Sequence, residues 1–282
     1  MSNAQINTLA KVIGNAEAGG YSLPPELLES WATFERVRGL TIDDPPSLPI
    51  EDAAGRVVAA AAAGDTPDVA ALGRDLHRFE GERQAHAHAG RIFGEAREQA
   101  ANAAVMLAAD LTERIIADHL RPTLEAVYAG ARVCAAALAG FGLDPRKLLD
   151  APAKTRTAAG ELGSLVVRRD LIFGARSWIN FVGSRKPMHD PENMFVEFER
   201  PELLTPWWSP GPARWPGLQD VAPQDPSERL LWVASDAVAA ANPWLPTTAE
   251  ADERWWAMFG EKSERFAQSR RDAESAGARG SF

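Results

Sequence analysis

The chain has 282 residues, 45% hydrophobic and 24% charged, and its 39 acidic side chains against 30 basic ones leave a formal charge of −9. This composition supports one large or two modest folded domains and excludes collagen-like, mucin-like and wholly disordered chains. The acidic balance argues against a protein that coats nucleic acid or an anionic membrane with its whole surface, and a single cysteine, Cys134, leaves neither an intrachain disulfide framework nor a Cys-based zinc site.

The N-terminal residues lack an apolar signal core. The longest uncharged apolar runs, Gln99–Ala109 and Val133–Leu143, reach about half a membrane span. The expected location is therefore the cytoplasm or the interior of an assembled particle, with no membrane partner. Alanine is the commonest residue, and Lys11, Lys147, Lys154, Lys186 and Lys262 are the only lysines. Coding bias explains that as well as close packing does.

In chain order, residues 1–20 hold few large apolar side chains and end in Gly19-Gly20, which reads as a flexible arm. Pro24-Pro25, the spacing of Leu27, Leu28, Trp31, Phe34 and Val37, and the stop at Gly39 predict a helix over about 25–38. A loop through Asp43-Asp44-Pro45-Pro46 leads to a second helix, from Pro49 to Ala63, closed by Gly64. Thr66 as N-cap, Pro67 and Asp68 then open a stretch with no proline before Pro122. One continuous helix there would span about 80 Å. Val69, Leu72, Leu76 and Phe79 begin an apolar stripe, and Phe93, Ala96, Ala100, Ala104, Leu107, Leu111 and Ile115 resume it, while Arg83, His86 and Gly90 occupy the seam between. Either the helix breaks near Gly81–Gly94, or a polar layer there meets a partner helix.

Beyond a kink at Pro122, residues Leu124–Leu138 are again helical and end at Gly140–Gly142. Asp144-Pro145 caps a short turn through Leu149, and Ala151–Ala159 reads as a linker. Over 162–200 the pattern fits helix or short strands. Pro201–Pro226 is too rich in proline for regular structure, Asp225-Pro226-Ser227-Glu228 is a capping box opening a helix to about Ala241, and Thr247 with Glu250 opens another. The fold class that follows is mainly α, with a long helix or helical hairpin at about 66–140 and a second, Trp/Pro-rich, mostly helical C-terminal region. The corresponding domains are an arm (1–20), a helical domain (21–150) and a Trp/Pro-rich domain (151–282) with a frayed tail.

Signatures of chemistry are sparse. The sequence holds no Gly-Lys pair for a phosphate loop, no third glycine after Gly140-Phe141-Gly142, no Gly-x-Ser-x-Gly elbow, and no Glu-x-x-His or His-Glu-x-x-His motif. His86 and His88 lie two apart, so on a helix they point away from each other and cannot share a metal ion. Cys134 sits in an apolar run and reads as a core residue. No catalytic residue, metal or cofactor is assigned.

Two features point to partners. The stretch Lys154–Lys186 carries Lys154, Arg156, Arg168, Arg169, Arg176, Arg185 and Lys186 against Glu161 and Asp170, with Phe173, Trp178 and Phe181 interleaved. Arg168, Arg169, Arg176, Arg185 and Lys186 are thus candidate nucleic-acid contacts, although aromatics facing the core and arginines paired with acidic groups explain the pattern more simply. Of nine tryptophans, Trp207, Trp208, Trp215 and Trp244 lie on or beside proline-locked segments, which hold large aromatic faces at low ordering cost, so they are the candidate partner-binding residues. The function expected is a non-enzymatic structural or assembly protein that self-associates or braces a larger complex, such as a phage particle or other bacterial assembly. A nucleic-acid-associated regulatory or packaging factor is the alternative.

Overall fold

Proline and glycine punctuation sets the helix ends. This computed structural model describes residues 3–43, 50–66, 68–183, 197–204, 222–254 and 256–258. Its helices are α1 (Asn3–Gly14), α2 (Ala16–Gly19), α3 (Pro25–Arg38), α4 (Ile50–Ala62), α5 (Val69–Asp110), α6 (Thr112–Arg114), α7 (Arg121–Leu138), α8 (Pro145–Leu149), α9 (Ala153–Gly183), α10 (Pro226–Val233) and α11 (248–254). A π-helical turn, Ile115–Leu120, joins α6 to α7, and Pro201–Leu203 and Asp236–Ala241 form 3₁₀ turns. The mainly α fold expected from the sequence is observed, and no strand occurs among the described residues. The one piece of β pairing there is an isolated antiparallel bridge between Phe198 and Pro243.

By its internal contacts the chain divides into two compact units, Glu29–Ala104, and Met1–Leu28 with Val105–Phe282. The expected boundary near 150 is not where the chain divides. In the larger unit, α7 and α9 make the most extensive helix pair, α1 and α2 pack on α9, and α10 packs on both α7 and α9. The side chains that fill it are Ile115, Ile116, Leu120, Leu124, Val127, Ala131 and Cys134 from the π turn and α7, with Leu162, Ile172, Ala175 and Ile179 from α9. Burial pushes the Cys134 thiol pKa up, with Glu161 adding to the shift, as suits a packed, unreactive thiol.

Three expectations change here. Residues 3–14 are a helix, not a loose arm: Leu9 and Val12 are fully buried, and the Tyr21 hydroxyl donates to the Val12 carbonyl at 2.7 Å. The expected linker 151–159 is mostly the first two turns of α9, because its small residues are packing groups. Ala158 and Thr155 are buried, and Thr155 Oγ1 donates to the Ala137 carbonyl at 3.1 Å. Close approach recurs at Gly183, where a Cβ would run into Thr112 Oγ1 and lie 3.2 Å from Thr112 Cβ. The open choice over 162–200 resolves to helix as far as Gly183.

Around Pro122 the chain solves a local problem. Proline has no N–H, and its ring crowds the carbonyl four residues back. The preceding turn widens to the π form, with the Arg121 N–H reaching the Ile116 carbonyl, while Thr123 Oγ1 donates to the His119 carbonyl at 2.9 Å.

The unit Glu29–Ala104 is built on α5, a helix of 42 residues and so about 63 Å long. Its N-cap is Asp68, not Thr66: the Asp68 carboxylate accepts from the Ala71 N–H at 2.9 Å. The helix runs unbroken through Gly81–Gly94 and is interrupted only at Leu111. Its polar seam meets neither a break nor a partner helix but the extended segment 40–43 of the same chain, which runs antiparallel to it. Arg97 Nη2 donates to the Leu40 carbonyl, Ile42 packs over Gly90, and His86 Nε2 donates to the Asp43 carbonyl at 2.6 Å. An Arg56–Asp75 pair at 2.9 Å ties α4 to α5 farther along. The apolar stripe itself is poorly covered. Phe79 is buried, Leu72 is half-buried, and Leu76, expected in the core, is 49% exposed. In the larger unit, Leu107 and Leu111 of the same stripe are also only half-buried.

Candidate binding cleft at Trp244

In the larger unit, a short stretch of chain after the Asp236–Ala241 turn is held against α7 and α9 by charged side chains. Residues 197–200 and 241–244 pair antiparallel: Glu199 N–H donates to Asn242 O at 3.1 Å, Arg200 N–H to Ala241 O at 3.0 Å and Trp244 N–H to Glu197 O at 3.2 Å. The next two carbonyls are taken by arginines from two helices. Arg121 Nε of α7 donates to Leu245 O at 3.0 Å, and Arg176 Nε of α9 donates to Pro246 O at 2.8 Å. Thr247 and Glu250 then cap α11 reciprocally, Thr247 N–H donating to Glu250 Oε2 at 2.8 Å and Glu250 N–H to Thr247 Oγ1 at 3.2 Å. Arg121 Nη2 also pairs with Glu250. Burial alone would raise the Glu250 pKa, but the Thr247 amide and Arg121 outweigh it and hold the carboxyl below its usual range.

Beneath this segment lies a buried charge cluster. Glu197, 7% exposed, accepts from Arg169 Nη2 on one carboxylate oxygen and from Arg229 Nη2 on the other. Arg169 also pairs with Asp170 at 3.0 Å and stacks on Phe173 at 5.0 Å. Burial by itself would lower the Arg169 pKa, but the Glu197 carboxylate more than compensates and the net shift is upward. The Tyr128 hydroxyl is buried next to this cluster, beside the Arg169 guanidinium. Burial first, and Glu197 second, push its pKa well above the usual phenol range.

Between α7 and residues 242–245 is a cleft of about 190 Å3 lined by Arg121, Leu124, Glu125, Tyr128, Asn242, Pro243, Trp244 and Leu245. Leu124, Leu245 and Tyr128 form its buried wall, Trp244 is half-buried, and Glu125 is exposed. Of the four tryptophans expected to bind a partner, Trp244 lines this cleft, and Trp207, Trp208 and Trp215 lie outside the described residues.

Of the five candidate nucleic-acid contacts, Arg168, Arg169 and Arg176 lie among the described residues. Arg168 is exposed, whereas Arg169 is largely buried on Glu197 and Arg176 is 1% exposed beneath Pro246. Arg185 and Lys186 lie outside the described residues. Arg169 and Arg176 do not face solvent, for a reason visible in their spacing. They fall seven apart on the same stripe of α9 as Leu162, Ile172 and Ile179, and the buried cations are kept there by Glu197 and by a main-chain carbonyl. Arg121, Glu125, Tyr128 and Glu197 were not marked by sequence reasoning. For the three on α7 the only signal was its helical register, which places Leu124 and Tyr128 on its buried face, and Glu197 had none.

Among the described residues no group of three His, Cys, Asp or Glu side chains could hold a metal ion, and no helix is long and apolar enough to cross a membrane. No family model, no curated protein and no solved structure matches the chain.

Proposed function

We propose that the protein is a non-enzymatic structural subunit that associates with copies of itself through the unit Glu29–Ala104 and so braces a larger assembly. One observation carries this reading, the poor covering of α5. The apolar residues buried among that unit's described side chains are Phe34, Phe79, Ala101 and Ala104, whereas Leu40, Val57, Val58, Leu76 and Ile92 are exposed, Val58 to 68% and Ile92 to 62%. A long helix draws most of its stability from packing an apolar stripe rather than from propensity, and exposed large apolar side chains at this density suit a protein contact. A second copy is the simplest source of the missing cover, since self-complementary two-fold contacts dominate soluble assemblies.

The test is the double variant Val58→Asp with Leu76→Asp. Both positions are exposed, so the helix content measured by circular dichroism should be kept while the mass in solution drops to that of a single chain. A double variant that folds and retains the wild-type assembly mass would remove the basis for this reading.

A further inference from the structure

We propose that Ser22 is a nucleophile activated by His119, and that it accepts an activated carboxylic acyl group to form one acyl-serine per chain. The proposal goes beyond self-association through Glu29–Ala104 and does not rest on it. Ser22 and His119 both lie in the other unit, and a single modification of each chain needs no turnover.

The two side chains come from elements 97 residues apart, the loop before α3 and the π turn, and Ser22 Oγ lies 2.8 Å from His119 Nδ1. With the ring proton on Nε2, Nδ1 accepts from the hydroxyl, which is the arrangement a serine nucleophile and its base require. The hydroxyl is not used as a helix cap. The helix α3 opens with Pro25, which has no N–H, and the Leu27 and Leu28 amides donate to the Pro24 carbonyl. Both partners are held from behind. Tyr21 and Leu23, on either side of Ser22, are buried, while Ser22 itself is exposed to an incoming reagent. Ile116 and Leu120, flanking His119, are fully buried, and the His119 carbonyl accepts from Thr123 Oγ1 at 2.9 Å. Two charges suit the step. The Glu26 carboxyl is held below its usual range by its own main-chain amide first, then by Arg114 and His119, so a carboxylate stands close enough to favour the imidazolium formed when Ser22 gives up its proton. The exposed Arg168 lies against Gly20, where a Cβ would be 3.8 Å from its guanidinium carbon. It puts a cation two residues before Ser22, the sign of charge that an acyl oxygen turning negative requires. In the reaction Ser22 Oγ bonds to the acyl carbon, the bond from that carbon to the leaving group breaks, and the hydroxyl proton passes to His119 Nδ1 and then to the leaving group or water.

The experiment treats the full-length protein with p-nitrophenyl acetate at neutral pH and follows acetylation of individual serines by peptide mass spectrometry over time. Ser164, exposed on α9, is the comparison within the same chain. A positioned general base contributes roughly 10²–10⁴ in rate. The expected result is therefore acetyl-Ser22 forming at least about tenfold faster than acetyl-Ser164, and a loss of at least about tenfold at Ser22 in His119→Gln. Ser22→Ala should remove the fast acetylation and leave that of Ser164 unchanged. No acetyl-Ser22, equal rates at Ser22 and Ser164, or an unchanged Ser22 rate in a folded His119→Gln overturns the proposal. The comparison of the two serines decides the matter on the wild-type protein even if the His119 variant folds poorly.

Discussion

Glu197→Gln is the sharpest probe of how the larger unit is held together. The substitution keeps the side-chain volume but removes the one carboxylate shared by Arg169 and Arg229, whose side chains are 12% and 28% exposed. Removing one partner of a fully buried pair costs about 3–5 kcal/mol, chiefly because the other charge is left uncompensated. Here Asp170 still faces Arg169 at 3.0 Å and Arg229 is partly solvated, so the expected loss is smaller, about 2–3 kcal/mol. In a unit of this size each kcal/mol lowers Tm by about 2–4 °C, which gives a fall of roughly 4–12 °C. Urea unfolding followed by tryptophan fluorescence should show a lower midpoint with an unchanged slope. Adding Arg169→Met should cost less than the two single losses summed, by about 1 kcal/mol or more, since the charge stranded by Glu197→Gln is then gone. A loss below about 1 kcal/mol, or strict additivity, would show that the cluster is not an electrostatic tie.

Other perturbations address separate links. Gly183→Ala places a Cβ against Thr112 Oγ1, so it is expected to cost about 1–3 kcal/mol in chemical denaturation and to be partly rescued by Thr112→Ala. The Glu250 carboxyl is held below its ordinary range, so its contribution to stability is complete above about pH 4.3 and is lost as pH falls through the lower folded value. Urea midpoints at stepped pH should show this acid limb flattened in Glu250→Gln. The Tyr21 pKa is pushed up to about 12 by burial, so the fold should lose stability as pH climbs from about 10 toward that value, and Tyr21→Phe should shrink this alkaline limb while leaving the part due to Tyr128. Asp225 caps α10 by accepting from the Ser227 and Glu228 amides at 2.9 Å each, and Asp225→Ala is expected to cost about 1 kcal/mol in the same assay.

Much of the fold is legible in the sequence because the helix ends carry local chemistry. Pro24-Pro25, the positive-φ Gly64 after α4, the Asp144 and Asp225 caps and the Thr247–Glu250 box all act within a few residues. The rest depends on contacts between residues far apart in the chain. Residues 3–14 looked loose because Leu9 and Val12 are few, yet α9 supplies the surface that buries them. The polar seam of α5 looked like a partner-facing layer because nothing local shows that Leu40–Asp43 folds back over Arg97, Gly90 and His86. At the cleft, Trp244 was marked by its flanking prolines. Glu250 lies 129 residues from Arg121, and Glu197 lies 28 from Arg169, so no short motif could link them. In the basic stretch the simpler of the two readings holds for Arg169, which pairs with acidic groups, and the seven-residue spacing of Arg169 and Arg176 on the Leu162–Ile179 stripe points both inward.

The proposed role rests most directly on whether the intact chain self-associates. Sedimentation velocity of the full-length wild-type protein over a hundredfold range of concentration measures this without any variant. A species at a whole-number multiple of 30.5 kDa is expected, its share rising with concentration. A single species of 30.5 kDa at every concentration would contradict it.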